Sequence, residues 1–301
     1  MNRRVLLTGG AGFLGSHLTR ACLQEDWQVG VIYQPQGGIS QIEELGSQIS
    51  VYPVNGQTEQ VLDIIEQFQP DLVFHLASVF LAQHSPKDIL MLVDSNIAFG
   101  TQILEAMALN NVPYLVNTGT SWQHYLDEEY NPVNLYAATK KAFEDILEYY
   151  IQAGGVKAIS LKLFDTYGPA DPRHKLFQVL ASAAREGSRL EMSPGEQLLD
   201  LVYIDDVVNA FIIAAKRLFD GKVQAHERYA VSSGQPIRLR ELVEIYQQVT
   251  GRTLDIAWGG NPYREREMMT PWSRGEQLPG WEPVIGYEEG IKLIWDQMDD
   301  E

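Results

Sequence analysis

A single cysteine, Cys22, in 301 residues rules out an internal disulfide, so a buried core alone must hold the fold. Its place in the first helical stretch reads as core rather than as a nucleophile. No apolar run approaches the length of a membrane span, and the amino end passes straight into a strand pattern without a leader. A cytoplasmic location with no membrane partner is therefore expected. Basic residues are scarce, 23 Lys and Arg against 40 Asp and Glu, and the net charge of -17 argues against nucleic acid, whose phosphates select basic surfaces. Repeats and low-complexity segments are also missing. With 45% hydrophobic residues, the chain can bury a core as one compact unit or two intimate lobes.

Near the amino end, Thr8 to Gly15 read TGGAGFLG, between the apolar run Val5, Leu6, Leu7 and an amphipathic stretch with Leu14, Leu18, Ala21 and Cys22 at helical spacing. Gly9, Gly12 and Gly15 suit a tight turn, a backbone that approaches a pyrophosphate, and a helix packed closely on its strand. Free N–H groups at the helix start then face the phosphates. A purely structural turn is the alternative. The strand before and the helix after it favour a dinucleotide.

A second pair is chemical. Tyr136 and Lys140, in YAATK, lie four apart in a segment over 135–150 that reads as one helix, so both project from one face. A free phenol titrates near ~10, and a neighbouring ammonium stabilises the phenolate and lowers that value. Such a pair can move a proton to or from a sugar oxygen. Alone, it would more often be a solvated helix face.

Short apolar runs at 4–8, 28–33, 50–54, 72–76, 114–118 and 158–164 alternate with helical patterns, the signature of an α/β fold with a Rossmann, doubly wound parallel sheet. Ligands bind at the carboxyl ends of such strands. Residues 1–167 and about 200–225 are expected to form the dinucleotide-binding domain, and 168–199 with 226–301 a smaller α/β substrate lobe. Helices are expected near 176–186, 207–219 and 239–249.

TGGAGFLG, HLA at His75 to Ala77, YAATK, KLFDTYGP, DLVYIDDVVNAF and LPGWEP together resemble, in register along essentially the whole chain, the extended short-chain dehydrogenase/reductase family. These are NAD(P)-dependent nucleotide-sugar epimerases, dehydratases and reductases. NTGTSWQHY, YNPVNLYAATK and LKLFDTYGP look most like the branch containing CDP-abequose synthases, which are 4-keto-sugar reductases.

The resemblance implies a catalytic Ser or Thr four residues before a tyrosine, here Ser121 before Tyr125, with Thr118 and Thr120 as competitors. Dehydratases carry an acidic pair just after that residue. Trp122 and Gln123 stand there instead, and neither can act as a general acid or base, so elimination of water is disfavoured. Cofactor contacts are implied at Gly9, Gly12, Phe13, Leu14, Gly15, Leu76, Ala77, Thr118 and Phe164, besides Tyr136 and Lys140. Tyr33 ends the second strand, where NAD enzymes of this type carry an acid that binds the adenosine ribose. With neither carboxylate nor arginine there, the reading leans to NADP(H) over NAD(H). Asn55 replaces an acid near the adenine and can still exchange hydrogen bonds with a base. Asn96 is expected to support the active-site backbone, with a capping or surface role as the alternative. His75 reads as backbone support beside the cofactor rather than as a titrating group.

An anionic nucleotide sugar would need a local basic pocket in so acidic a chain. Arg264 and Arg266 are the candidates, with Arg173, His174 and Lys175 beside them, since guanidinium forks suit pyrophosphate. Ser78, Trp122, Asp165 and Thr166 complete the implied substrate contacts. Asp165 stands where the family has an Asn, and Leu199 replaces an arginine, so one usual phosphate contact is lost. Trp122, Tyr125 and Trp272 suit stacking on sugar or base rings, or packing at a domain interface.

The expected protein is thus an NAD(P)H-dependent reductase of a nucleotide-activated keto-deoxysugar, with no metal. A nucleotide-sugar 4-epimerase with tightly bound NAD is the alternative, and a non-catalytic dinucleotide-sensing protein is one from another class. By family analogy a homodimer pairs the helices near 96–108 and 135–150 across a two-fold axis.

Overall fold

The computed structural model describes residues 3–173 and 175–299; His174 lies outside the described residues. The chain alternates strand and helix: β1 (Arg4–Thr8), α1 (Phe13–Gln24), β2 (Gln28–Tyr33), β3 (Ile49–Pro53), α2 (Thr58–Phe68), β4 (Leu72–His75), α3 (Ile89–Val93), α4 (Phe99–Leu109), β5 (Tyr114–Thr120), α5 (Leu135–Gly154) and β6 (Lys157–Leu163). Then come β7 (Asp165–Tyr167), α6 (Leu176–Glu186), β8 (Leu190–Met192), β9 (Leu198–Leu199), β10 (Leu201–Tyr203), α7 (Ile204–Phe219), β11 (His226–Val231), β12 (Ile237–Arg238), α8 (Leu239–Thr250), β13 (Ile256–Trp258) and α9 (Tyr287–Asp299).

Seven strands form one sheet in the order β11-β6-β5-β4-β1-β2-β3, and each pairing in it is parallel. Strand order reverses beside β1, the switch point at which such sheets bind ligands. Alternation along β1 shows how the sheet is held: Val5 and Leu7 join one core with Phe74 and Phe211, under α1 and α7, while Leu6 joins the other with Phe99 and Phe143, under α4 and α5. Side chains that alternate in direction while staying apolar on both faces are what a sheet covered by helices on both sides demands.

One register row interrupts this apolar pattern. Thr8, His75, Asn117 and Ser160 are successive Cα partners across β1, β4, β5 and β6. Thr8 Oγ1 and His75 Nδ1 share a hydrogen bond of 2.9 Å, Asn117 Nδ2 donates to Ser160 Oγ at 2.9 Å, and Ser160 Oγ reaches His226 Nε2 at 2.9 Å.

Beyond β6, three two-stranded pairings, β10 with β7, β12 with β9 and β13 with β8, support α6 and α8. The strand at 226–231 departs from the expectation that 226–301 belongs wholly to the smaller lobe. β11 pairs with β6 over six register positions and closes the edge of the main sheet, because its Tyr229, Ala230 and Val231 are apolar enough to enter that core. A second departure lies at 94–98, which winds as a π-turn ahead of α4 and carries Asn96.

Candidate active site

The glycine loop is dictated by space. Gly9 has φ +70°, and a Cβ on it would meet the Ala77 nitrogen at 2.8 Å. A Cβ on Gly15 would stand 2.0 Å from the Gly9 carbonyl oxygen. α1 starts at Gly12 with no side-chain cap, which leaves its first N–H groups available to an anion. A recess of about 220 Å³ opens there, lined by Gly9, Gly12, Tyr33, Gln34, Gly38, Val54, Ala77, Ser78, Ser95 and Phe99 among others. None of its described lining residues carries a formal charge.

Several expected cofactor residues sit elsewhere. Phe13 is buried in the core, under the Arg173 guanidinium at 4.6 Å, and Leu14 packs on the same core. Asn55 is exposed, and its backbone N–H donates to Gln60 Oε1 at 3.0 Å. Leu76 acts through its backbone, which crowds Gly9.

Below the recess, Asn96 is buried and serves the loop between β4 and α3. Its Oδ1 accepts from Val79 N at 2.8 Å and Ser78 Oγ at 3.1 Å, and its Nδ2 donates to Val79 O and Thr139 Oγ1, each at 3.0 Å. The backbone-support role is the one found. His75 does the same through Thr8, whose hydroxyl accepts from Ala77 N at 3.2 Å. Burial, reinforced by the Lys140 charge, lowers the imidazole to about 3, so it is neutral.

α5 begins where Asn134 Oδ1 accepts from Ala137 N at 2.9 Å, which fixes Tyr136 and Lys140 one turn apart. Lys140 is 1% exposed, and its Nζ has no hydrogen-bond partner. Burial lowers its ammonium to about 8, and the Glu144 carboxylate opposes that shift. An unpartnered buried ammonium costs free energy, and two ribose hydroxyls would satisfy it. The glycine cradle and this orphaned Nζ both fit a dinucleotide.

The expected lowering of the Tyr136 phenol by Lys140 is overturned. Burial pushes the phenol up to about 12, against hydrogen bonds with Ser78, the Arg173 charge and a hydrogen bond with Thr120. Tyr136 is thus a protonated acid at neutral pH. A cavity of about 120 Å³ fronts it, lined by Phe80, Thr118, Thr120, Trp122, Phe164, Asp165, Thr166, Arg173 and Lys175. The hydroxyl facing Tyr136 is therefore that of Thr120, whereas Ser121 is buried outside this lining. The reason is local: β5 continues to Thr120, so alternation sends Thr118 and Thr120 to one side and Ser121 to the other.

A second cavity of about 290 Å³ adjoins the first, sharing Phe80, Trp122, Asp165, Thr166 and Lys175, and reaches Leu199 and Arg264. The cations of the two cavities are mostly spoken for. Arg173 is held by Asp171 at 2.7 Å through both Nε and Nη2, and Arg264 by Glu267 at 2.8 and 2.7 Å. Lys175 sits 5.3 Å over the Phe80 ring, its ammonium lowered by burial and supported by Asp165. Arg266 lies outside both linings, over Tyr125 at 4.3 Å and bonded to Asn131. Trp272 packs instead of opening to either cavity, stacking on His124 at 3.9 Å and on Phe164 at 6.4 Å. Phe80, on the loop after β4, was missed from the sequence; its place three residues beyond HLA was the only signal.

Fold and site together define a dinucleotide-dependent enzyme with a sugar-sized reaction cavity. Residues 5–229 match the NAD dependent epimerase/dehydratase family, and the chain belongs to that family. It is an NAD(P)-dependent enzyme of the extended short-chain dehydrogenase/reductase type. It is 28% identical to a CDP-abequose synthase of Yersinia pseudotuberculosis, over 89% of this chain and 91% of that one. The UDP-glucose 4-epimerase of Thermus thermophilus, solved with NAD, superposes with TM-score 0.79 at 26% identity over 98% and 99% of the two chains. That of Thermotoga maritima, solved with UDP-glucose, gives TM-score 0.87 at 23% identity over 99% and 100%. Among the described residues no helix is long and apolar enough to cross a membrane.

Proposed function

We propose that this protein reduces a nucleotide-linked keto-deoxysugar with a nicotinamide dinucleotide, NADPH in preference to NADH. The observation that carries the reading is the placement of Tyr136: a buried phenol beside Ser78 and Thr120 at the front of a cavity lined by Phe80 and Trp122. A reduction needs an acid there, and a phenol near 12 keeps its proton until negative charge develops on the substrate oxygen. When bound, the dihydronicotinamide supplies a hydride to the carbonyl carbon, and the π pair of C=O moves to oxygen. Tyr136 gives that oxygen its proton, Thr120 and Ser78 hold it by hydrogen bonds, and Arg173 steadies the phenolate left behind. Lys140 takes up the ribose hydroxyls and so fixes the distance between hydride donor and carbonyl. Lys175 and Arg264, which line the larger cavity, would take the diphosphate, Arg264 by giving up its bonds to Glu267.

NADPH is preferred in this reading because no carboxylate lines the recess near Tyr33 to repel a 2′-phosphate. The likeness to the CDP-abequose synthase supports a ketosugar substrate, and the likeness to an NAD-bound 4-epimerase favours epimerisation as the second reading. The test is to mix the protein with NADPH or NADH and CDP- or UDP-linked 4-keto-6-deoxyhexoses, following dihydronicotinamide absorbance and the sugar product. Stoichiometric oxidation of NADPH with a 4-hydroxy sugar formed is expected. Interconversion of C4 epimers without net cofactor consumption would overturn the reductase.

The homodimer we propose pairs α4 and α5 with their copies, and exposed Leu109 and Tyr149 on those helices support it. Sedimentation velocity should give a dimer at micromolar concentration, and a monomer would refute the pairing.

A further inference from the structure

Three aromatic rings line the cavity in front of Tyr136 or face it. Phe80 stands edge-on to Tyr136, centroids 5.0 Å apart at 81°, and edge-on to Trp122 at 5.4 Å and 65°. Both partners of this wall are fixed by their backbones. The loop that carries Phe80 is pinned through Val79 by the buried Asn96 amide. Trp122 N donates to Thr120 Oγ1 at 3.2 Å, and Trp122 O accepts from Val133 N at 2.8 Å. Cations of the cavity linings lie over the rings, with Lys175 Nζ 5.3 Å from the Phe80 centroid and the Arg264 guanidinium 5.4 Å from that of Trp122.

What the wall leaves is small. The space in front of Tyr136, about 120 Å³, is the smaller of the two that adjoin here, against about 290 Å³ for the other. Phe80 and Trp122 line both spaces, so a sugar ring turning over in front of Tyr136 would meet both aromatic faces. Phe80 is also 42% exposed, an apolar surface that a seated sugar would cover.

Resting on the reductase reading above, we propose that Phe80 and Trp122 are the specificity-determining residues that hold the ketosugar with a single carbonyl face toward the hydride donor. The position of Trp122, where relatives of another reaction type carry a carboxylate, thereby becomes a steric device. The wall fixes the stereochemistry of the new C–H bond and suppresses the ring rotation that an epimerase requires.

The test uses full-length protein with Phe80→Ala, Trp122→Ala and the double change, and the milder Phe80→Leu and Trp122→Phe in case the alanine variants fold poorly. Each is given NADPH and CDP-4-keto-6-deoxyglucose or its UDP counterpart, and the two C4 epimers of the product are separated and counted. Wild type should give one epimer. The enlarged cavities should lower the epimer ratio at least about tenfold, the scale on which steric differences of a few carbon atoms discriminate substrates, with the leucine and phenylalanine variants in between. Variants that turn over with an unchanged epimer ratio would overturn the wall while leaving the reductase intact. Wild type that yields both epimers with NADPH consumed would do the same. Wild type that interconverts epimers without consuming NADPH, or that leaves every ketosugar unreduced, would take down the reductase reading and the wall with it.

Discussion

Replacing Thr120 by valine removes one hydroxyl while keeping the β-branched shape that suits the end of β5. Two bonds go with it: the one that lowers the Tyr136 phenol and the one that accepts from Trp122 N at 3.2 Å. Thr120 is 6% exposed, so water does not readily replace what is lost. Removing one donor aimed at a developing oxyanion costs about 10²–10³ in kcat, or ~2.7–4 kcal/mol. Loss of the acceptor for Trp122 N adds roughly 0.5–2 kcal/mol of destabilisation, the usual scale for a lost cap. Ser121→Ala, on the far side of the strand end, should keep kcat within about fivefold, equivalent to ~1 kcal/mol. Thr120→Ser should restore most of the rate. The assay is NADPH consumption with a CDP- or UDP-linked 4-keto-6-deoxyhexose, paired with urea melts that separate rate from stability. A Ser121→Ala protein that loses a hundredfold while Thr120→Val stays near wild type would refute the placement of Thr120.

Tyr136→Phe should abolish turnover and leave NADPH affinity nearly unchanged in calorimetric titration; a fully active variant would remove Tyr136 from the chemistry. Gly15→Ala should eliminate measurable cofactor binding, because its Cβ would lie 2.0 Å from the Gly9 carbonyl oxygen and 2.6 Å from the Gly10 Cα, so the loop backbone must shift; binding within about tenfold of wild type would show that the loop can relax. Lys140, lowered to about 8, is charged below that pH and neutral above it. Reductase kcat/KM should therefore hold between neutrality and pH 8 and fall above it, and Lys140→Arg, which stays charged, should move the fall upward. A flat profile through pH 9.5 would contradict a working role for the ammonium.

Much of this was legible because its signals are local. The strand positions, the glycine loop and the Tyr136–Lys140 spacing depend on periods of two and four residues, which packing on both sheet faces preserved. The hydroxyl beside Tyr136 was harder, since extending β5 by two residues decides which of Thr120 and Ser121 faces the cavity, and no propensity rule sets a strand end that closely. Phe80 was not legible at all. Its role depends on meeting Trp122 and Tyr136 from distant parts of the chain. The lowered phenol expected from Lys140 failed for a similar reason: the groups that lower it in the fold are Ser78, Arg173 and Thr120, and burial, a property of the whole fold, outweighs them. Arg266 shows the same limit: its charge was read correctly, but the fold set it against Tyr125 and Asn131.

The polar row of Thr8, His75, Asn117 and Ser160 bears on how the chain finds its strand order. Parallel strands that are apolar on both faces are nearly interchangeable to one another, and a sheet of them offers many mispairings of similar energy. With one hydrogen-bonding group from each of β1, β4, β5 and β6 in the same row, only one alignment lets these groups meet. A slip in β1 or β4 would break the bond between Thr8 and His75, and one in β5 or β6 the bond between Asn117 and Ser160, at a cost of about 1–3 kcal/mol for each unsatisfied group. The row thus works as a combination lock on assembly, in which the tumbler nearest the glycine loop, Thr8, also sets the cofactor platform: the switch point at which the dinucleotide would dock becomes competent only once the central strands have lined up.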